Sequence, residues 1–165
     1  MIAVAQFELV SKKQFEEAWL DTFGEPQQSF DRLQLPKRAT TGSAGYDFLL
    51  PCDITLEPGK TIKIPTGIRA KIEEGWMLQI FPRSGLGFKF RLQLDNTVGI
   101  IDSDYYGSDN EGHIFIKITN DSRNDKTVVL KEGDAFAQGI FVPYGVTFDD
   151  ETTAIRNGGM GSTSR

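Results

Sequence analysis

The chain has 165 residues, 18 of them basic and 23 acidic, for a net charge of −5. That length suits a single domain, and the acidic balance argues against a nucleic-acid groove or an anionic membrane surface as the main partner. Hydrophobic residues make up 39% and charged residues 25%, so a packed core is expected and wholesale disorder is not. No apolar run approaches the ~18 residues of a membrane span, and no basic segment precedes an apolar one at the N-terminus, so neither a span nor a secretory leader is expected. Cys52 is the only cysteine, which leaves no internal disulfide and makes the cytoplasm the expected compartment. His113 is the only histidine, and no nucleophile motif surrounds it.

In chain order, residues 2–10 alternate weakly, with Phe7 and Leu9 about Glu8, and predict a strand. Ser11 fits a helix N-cap, and Gln14 three residues on completes a capping box. Phe15, Trp19 and Phe23 then recur at four-residue spacing, with Ala18 beside them, which predicts a helix over about 12–23. Gly24 and Pro26 stop it. Its apolar face reads as core or subunit packing, with a regulatory protein partner as the other use. Residues 25–32 are polar and read as a linker.

Short strand candidates follow. Ile54 and Leu56 alternate, a turn at Glu57-Pro58-Gly59-Lys60 reverses the chain, and Ile62 and Ile64 alternate again. Then come Ile68, Ala70 and Ile72; Trp76, Leu78 and Ile80; Leu92 and Leu94; Ile114, Ile116 and Ile118; and Val128 and Leu130, with Phe141 closing the run. Regular short strands between Gly, Pro and Asp turns predict an all-β sandwich or barrel with one short helix. Residues 107–113 form a polar loop. Residues 156–165 are rich in Gly and Ser without a core pattern, and are set apart as an arm from a domain of residues 1–155.

Several groups of residues carry chemistry. Between residues 95 and 107 an Asn, three Asp and two Tyr flank a short apolar core that Gly99 interrupts. A lone Gly in a strand pattern marks a bulge or a close backbone approach, so this segment reads as a β-hairpin that holds a polar ligand, or as an ordinary hairpin with acidic turns. Arg83-Ser84-Gly85 joins a guanidinium fork, a hydroxyl and a small residue, which suits phosphate, or equally a turn with a surface Arg. Arg156, Gly158, Gly159, Gly161, Ser162 and Thr163 put glycines, hydroxyls and a fixed charge near the C-terminus, without the Lys of a P-loop.

Five stretches resemble, in order, the five motifs of the trimeric dUTP pyrophosphatase (dUTPase) family: Ala44-Gly45-Tyr46-Asp47; Pro82-Arg83-Ser84-Gly85-Leu86-Gly87; residues 95–107; Gly133-Asp134-Ala135-Phe136-Ala137-Gln138; and Gly158-Gly159-Met160-Gly161-Ser162-Thr163. The resemblance covers about residues 33–164. It implies a homotrimer of jelly-roll β domains that hydrolyses dUTP to dUMP and pyrophosphate by in-line attack of water on the α-phosphorus. It implies shared active sites, with the hairpin from one chain, the phosphate loop from a second and the arm of residues 156–165 from a third. Asn96 would hydrogen-bond the uracil edge, Gly99 would let the backbone approach the base, and Tyr105 would pack on the sugar. Asp102 would deprotonate the attacking water, with Asp104 as the competing carboxylate and a supporting ion-pair role its other reading. Arg83, Ser84, Gly85 and Gln138 would hold phosphates, Arg156, Ser162 and Thr163 the outer ones, and Asp47 would support the site indirectly. Mg²⁺ would sit on substrate phosphates and water, with no direct protein ligands.

The chain departs from the family pattern in three places: Met160 stands where an aromatic lies on the uracil, Ala135 replaces a basic residue, and Arg156 lies closer to the glycines than in many relatives. The loop 107–113 is longer than the shortest members need. Three rival readings remain: a dCTP deaminase of the same fold, a nucleotide-switched regulator without catalysis, and a purely structural trimeric β domain. Asp102 favours water activation at phosphate over deamination, and a structural domain leaves the phosphate motifs unexplained.

Overall fold

The computed structural model describes residues 2–26, 29–156 and 158. The chain runs through β1 (Ala5–Leu9), α1 (Lys12–Phe23), β2 (Lys37–Arg38), β3 (Tyr46–Leu49), β4 (Ile54–Leu56), β5 (Thr61–Pro65) and β6 (Ile68–Ile72). It continues through β7 (Trp76–Pro82), α2 (Ser84–Phe90), β8 (Leu92–Leu94), β9 (Gly99–Ile101), β10 (Phe115–Asn120), β11 (Val128–Leu130) and β12 (Ala135–Pro143). The pairings are antiparallel. One sheet has the order β2-β3-β12-β7-β9, a second β5-β10-β8, and β1-β6 and β11-β4 add two pairs, as an all-β jelly-roll domain requires. Among the described residues no helix is long and apolar enough to cross a membrane.

Alternation sets the inward face of each strand. Ile68, Ala70 and Ile72 of β6 and Ile116 and Ile118 of β10 are buried, with more exposed residues between them. They join Phe48, Leu78, Ile80 and Phe136 in one core. Gly59 makes the predicted turn between β4 and β5, with φ +77 and the Lys60 N–H donating to the Glu57 carbonyl at 3.0 Å.

The predicted helix forms over Lys12–Phe23. Ser11 Oγ accepts the Gln14 N–H at 3.1 Å, and Gly24 ends the helix at φ +73 with its N–H on the Leu20 carbonyl. The second half of the capping box differs from expectation, because the Ser11 N–H donates to Glu111 Oε2 at 2.7 Å rather than to Gln14. Phe15 and Trp19 are buried with Val10 in a second core that Phe30, Leu33 and Cys52 complete. The apolar face therefore serves packing within the chain.

Two further elements escaped the sequence. In the predicted linker, Phe30–Arg32 forms a 3₁₀ turn that carries the Phe30 ring to 5.9 Å from Phe15. After β7 the chain forms α2, which contains two glycines and is too short for local propensity to signal. Burial of Phe90 fixes it against the core, and Arg91 closes it in the left-handed region at φ +52.

His113 ends the loop 107–113 and is wholly buried. Its Nε2 accepts the Gly67 N–H at 2.8 Å, and its ring lies 4.5 Å from Phe115 and 6.4 Å from Phe15. Burial pushes its pKa down to about 4, against a smaller opposing pull from Glu111. The imidazole is thus a neutral core group. The unfolded chain takes up a proton near the ordinary value of about 6.5, whereas the folded chain refuses it until about pH 4. Stability is therefore full above pH 6.5 and falls as pH drops towards 4, by at most about 1.4 kcal/mol per pH unit. With one histidine in the chain, the difference between wild type and His113→Gln in thermal unfolding measured between pH 7 and 5 isolates this residue from the carboxylates that begin to titrate near pH 5. The slope should flatten in His113→Gln, whose Oε1 still offers the Gly67 N–H an acceptor.

Candidate active site

β12 gathers three of the motifs. Asp47 on β3 lies opposite Gln138 on β12, and Gln138 lies opposite Phe81 on β7, so the three form one row across the sheet. Gly45 sits so close to Gln138 that a Cβ there would lie 2.8 Å from Gln138 Oε1. The Gln138 amide reaches the Pro82 carbonyl at 3.5 Å. Directly after Pro82, the Arg83 guanidinium reaches back across β12 to pair with the Asp47 carboxylate. Ser84 and Gly85 follow, exposed on the first turn of α2. Asp47, Arg83, Ser84, Gly85 and Gln138 therefore form one cluster, with a guanidinium fork that a phosphate can take from its carboxylate.

The third motif forms a second cluster at the sheet edge. β8 pairs with β10 and β9 pairs with β7, so residues 95–98 carry the chain between two sheets rather than closing the predicted hairpin. The crossing is a tight turn: Thr97 has φ +68, its N–H donates to the Leu94 carbonyl at 2.9 Å, and the Val98 N–H donates to the Asn96 carbonyl at 2.7 Å. Asp95 braces the turn by accepting from Thr119 Oγ1 at 2.5 Å and pairing with Lys117 at 2.9 Å, and the Thr119 bond is the main cause of its lowered pKa. A cavity of about 320 Å³ opens beside the turn, lined by Lys63, Asn96, Gly99, Ile100, Phe115 and Lys117 among others. Asn96 is exposed at it, and the volume suits a small flat ring. Lys63 and Phe115 come from strands with no motif, and nothing in the local sequence marks them. Gly99 has a reason beyond a ligand, since a Cβ there would stand 3.2 Å from Ile80 Cβ on β7.

Beyond β9 the chain enters the 3₁₀ turn Ser103–Gly107, with Asp102 at its start. The Asp102 side chain is 48% exposed and pairs with Arg156 Nη2 at 2.6 Å, while Arg156 Nε lies 2.9 Å from Asp104 Oδ1. The guanidinium also stands over the Tyr105 ring, 5.6 Å from its centre. Tyr105 is buried, which raises its phenol pKa, and Tyr106 donates to Glu8 at 2.8 Å as a structural tie. Arg156 thus docks on the third motif of its own chain, and not on that of another chain as the resemblance implies, although its segment has no core pattern. Met160, Ser162 and Thr163 lie outside the described residues. Among the described residues no group of three or more His, Cys, Asp or Glu side chains is arranged to hold a metal ion.

The two clusters lie apart within one chain. Ile101 is opposite Leu78, so Asp102 follows at one end of β7, while Arg83 follows the other end. Five residues from Leu78 to Arg83 correspond to roughly 17 Å of strand. Arg83 also turns towards β3, away from the edge strand β9. A phosphate at Asp102 is therefore out of reach of the same chain's Arg83.

A dUTPase family model matches residues 31–164. The deoxyuridine 5′-triphosphate nucleotidohydrolase of Lactococcus lactis subsp. lactis is 41% identical over 134 residues, covering 79% of this chain and 88% of that protein. The crystal structure of the dUTPase of Streptococcus mutans superposes with a TM-score of 0.63 at 34% identity, over 86% of this chain and 97% of that one. The D95N mutant of the dUTPase of phage phi11 of S. aureus, whose structure reveals the coordination of a structural Mg(II) ion, shares the fold with a TM-score of 0.65 at 22% identity, over 92% of this chain and 98% of that one. These relatives support dUTP hydrolysis rather than deamination of dCTP or a nucleotide-switched regulatory role without catalysis.

The packing of Gly99 is open to test. Its neighbour is the stem of Ile80, which cannot swing aside, so Gly99→Ala should lower the unfolding free energy in urea by about 1–3 kcal/mol. Gly85→Ala meets nothing within 4 Å and should not destabilise the chain.

Proposed function

The chain belongs to the dUTPase family, and from that premise we propose how it works as a dUTP nucleotidohydrolase. It hydrolyses dUTP to dUMP and pyrophosphate. The uracil enters the cavity beside Asn96 and Gly99, and the sugar packs against Tyr105. Asp102 takes a proton from a water whose oxygen attacks the α-phosphorus in line. The bond from that phosphorus to the bridging oxygen breaks, and pyrophosphate leaves with that oxygen. Arg83, Ser84, Gly85 and Gln138 hold the phosphate chain, and Arg156, already beside Asp102, moves onto the phosphates as they arrive. The arm of residues 156–165, with Met160, Ser162 and Thr163, closes over the nucleotide bound to the domain of residues 1–155. Most of the rate enhancement comes from positioning and charge stabilisation.

Mg²⁺ suits this site on phosphate oxygens and water, because the nearby donors are the half-exposed carboxylates Asp102 and Asp104 and not a closed cage. When bound, the ion supplies charge neutralisation on the phosphate oxygens. The single Cys52 suits a reducing compartment, and we place the enzyme in the cytoplasm.

One observation carries the assembly: Arg83 and Asp102 of one chain sit at opposite ends of β7. A complete site therefore takes its phosphate cluster from a second chain through a heterologous contact, which generates a ring, and the family resemblance makes that ring a homotrimer. Exposed apolar side chains at Phe88 on α2 and at Val146 and Phe148 after β12 supply surface for that contact.

A nucleotide panel with Mg²⁺, read by pyrophosphate release, should show dUTP hydrolysed well ahead of dCTP, dTTP and UTP. Comparable rates on dCTP would remove the role given to Asn96. Asp102→Asn should bind nucleotide and lose roughly 10²–10⁴-fold in turnover. If Asp104→Asn is the dead variant instead, the base has been assigned to the wrong carboxylate.

Sharing of the site is tested by mixing Asp102→Asn with Arg83→Ala, two inactive proteins, and refolding them together. In a random three-subunit ring about three trimers in four contain both types, and each of those has one intact site of three. Roughly a quarter of all sites should recover. Mixed trimers that are seen by mass yet remain inactive would show that the site lies within one chain.

A further inference from the structure

The hydroxyl of Tyr105 is held from two sides. It donates to the His113 carbonyl at 2.7 Å and accepts from Asn110 Nδ2 at 2.9 Å. Both partners belong to the loop 107–113. Asn110 is itself fixed, because its Oδ1 accepts the Gly112 N–H at 3.2 Å and its carbonyl accepts the His113 N–H at 3.1 Å. Gly112 has φ +70, and a Cβ there would stand 2.7 Å from Tyr106 Cα and 2.8 Å from the Tyr105 carbonyl oxygen. The loop therefore presses against the backbone of both tyrosines.

The same loop is clamped to the N-terminal helix. Glu111 accepts from the Ser11 N–H and from Ser11 Oγ, each at 2.7 Å, and these two bonds, the backbone one first, hold its carboxyl below the usual range. Next to it, the buried His113 joins Gly67 to the aromatic face of Phe15.

We infer that α1 and the loop 107–113 form a brace for Tyr105, and that Asn110 is a positioning residue for sugar selection. This rests on the packing of Tyr105 against the deoxyribose set out above. With its hydroxyl held by Asn110 and His113, the ring cannot tilt to make room for a ribose 2′-hydroxyl. Asn110 touches no substrate and acts through the phenol.

The test separates that one hydrogen bond from the loop's own structure. Asn110→Asp keeps an acceptor for the Gly112 N–H and removes the donor to Tyr105, whose one proton can then serve either the His113 carbonyl or the new carboxylate, so the hydroxyl is no longer held from both sides. We expect kcat/KM for dUTP relative to UTP to fall about tenfold, with most of the change in faster use of UTP. Tyr105→Phe should lower the ratio by a similar factor, and the double variant should lower it no further. If Asn110→Asp does not fold, Tyr105→Phe with an unchanged ratio overturns the brace. An Asn110→Asp protein that melts earlier yet keeps the wild-type ratio shows a merely structural loop, and also overturns it. A wild type that does not itself discriminate dUTP from UTP removes the role of Tyr105, and the inference with it. A discriminating wild type beside an equally discriminating Asn110→Asp defeats the inference alone.

Discussion

The register of β12 between β3 and β7 is the constraint on which the rest of the molecule depends. It sets Gln138 beside Asp47 on one side and Phe81 on the other, so three motifs scattered over ninety or so positions meet in one row. Gly139 makes the fit possible: a Cβ there would stand 2.8 Å from Leu78 Cδ1 and 3.0 Å from Phe48 Cε2. A slip of one residue would turn Gln138 to the other face and drive a side chain into the core at this point. The irregularity between Ala135 and Ala137 absorbs the change of register at the start of the strand, so that Phe136 and Ala137 are both buried.

From that register follows the charge arrangement. The chain is acidic overall, so its long-range field does not draw an anion in. Attraction has to be local, and in the function proposed above it comes from two arginines that here rest against carboxylates: Arg83 on Asp47, Arg156 on Asp102 and Asp104. A triphosphate brings more acceptor oxygens than either partner offers, so it can exchange for them without a guanidinium first being exposed bare. Pairing also keeps the long side chains close to one geometry, which reduces the ordering cost when ligand binds.

Much of this was legible in the residues, and what was not has a physical reason. The helix over Lys12–Phe23 was visible because four-residue spacing, an N-cap and a C-terminal Gly agree with one another. The strands were visible through their alternation. The motifs of the site were visible as an ordered set, while their grouping into two separate clusters was not, because strand register between distant segments leaves no local trace. The expected hairpin failed for that reason: β8 and β9 are close in sequence, but each has a better partner in a different sheet. The same holds for α2, whose buried Phe90 outweighs its two glycines, and for Arg156, whose glycine-rich surroundings suggested nothing to hold it.

The N-terminal helix and the loop 107–113 lie about a hundred positions apart in the sequence, yet physically they are a single structure. The join carries costs that isolated surface additions would not incur. Gly67 must adopt φ +75, with Leu33 and Phe15 pressed where a Cβ would be. His113 is buried with Nδ1 unpartnered among the described residues, which costs about 1–3 kcal/mol in a core. Offsetting these are the aromatic packing of Phe15 and Trp19, the double bond from Ser11 to Glu111, and the fixing of the Tyr105 hydroxyl. The first two contributions could stabilise any surface helix. Only the third explains why the buried, strained part of the join lies next to Tyr105 and not at the far end of α1, where Phe23 and Cys52 leave a more open surface.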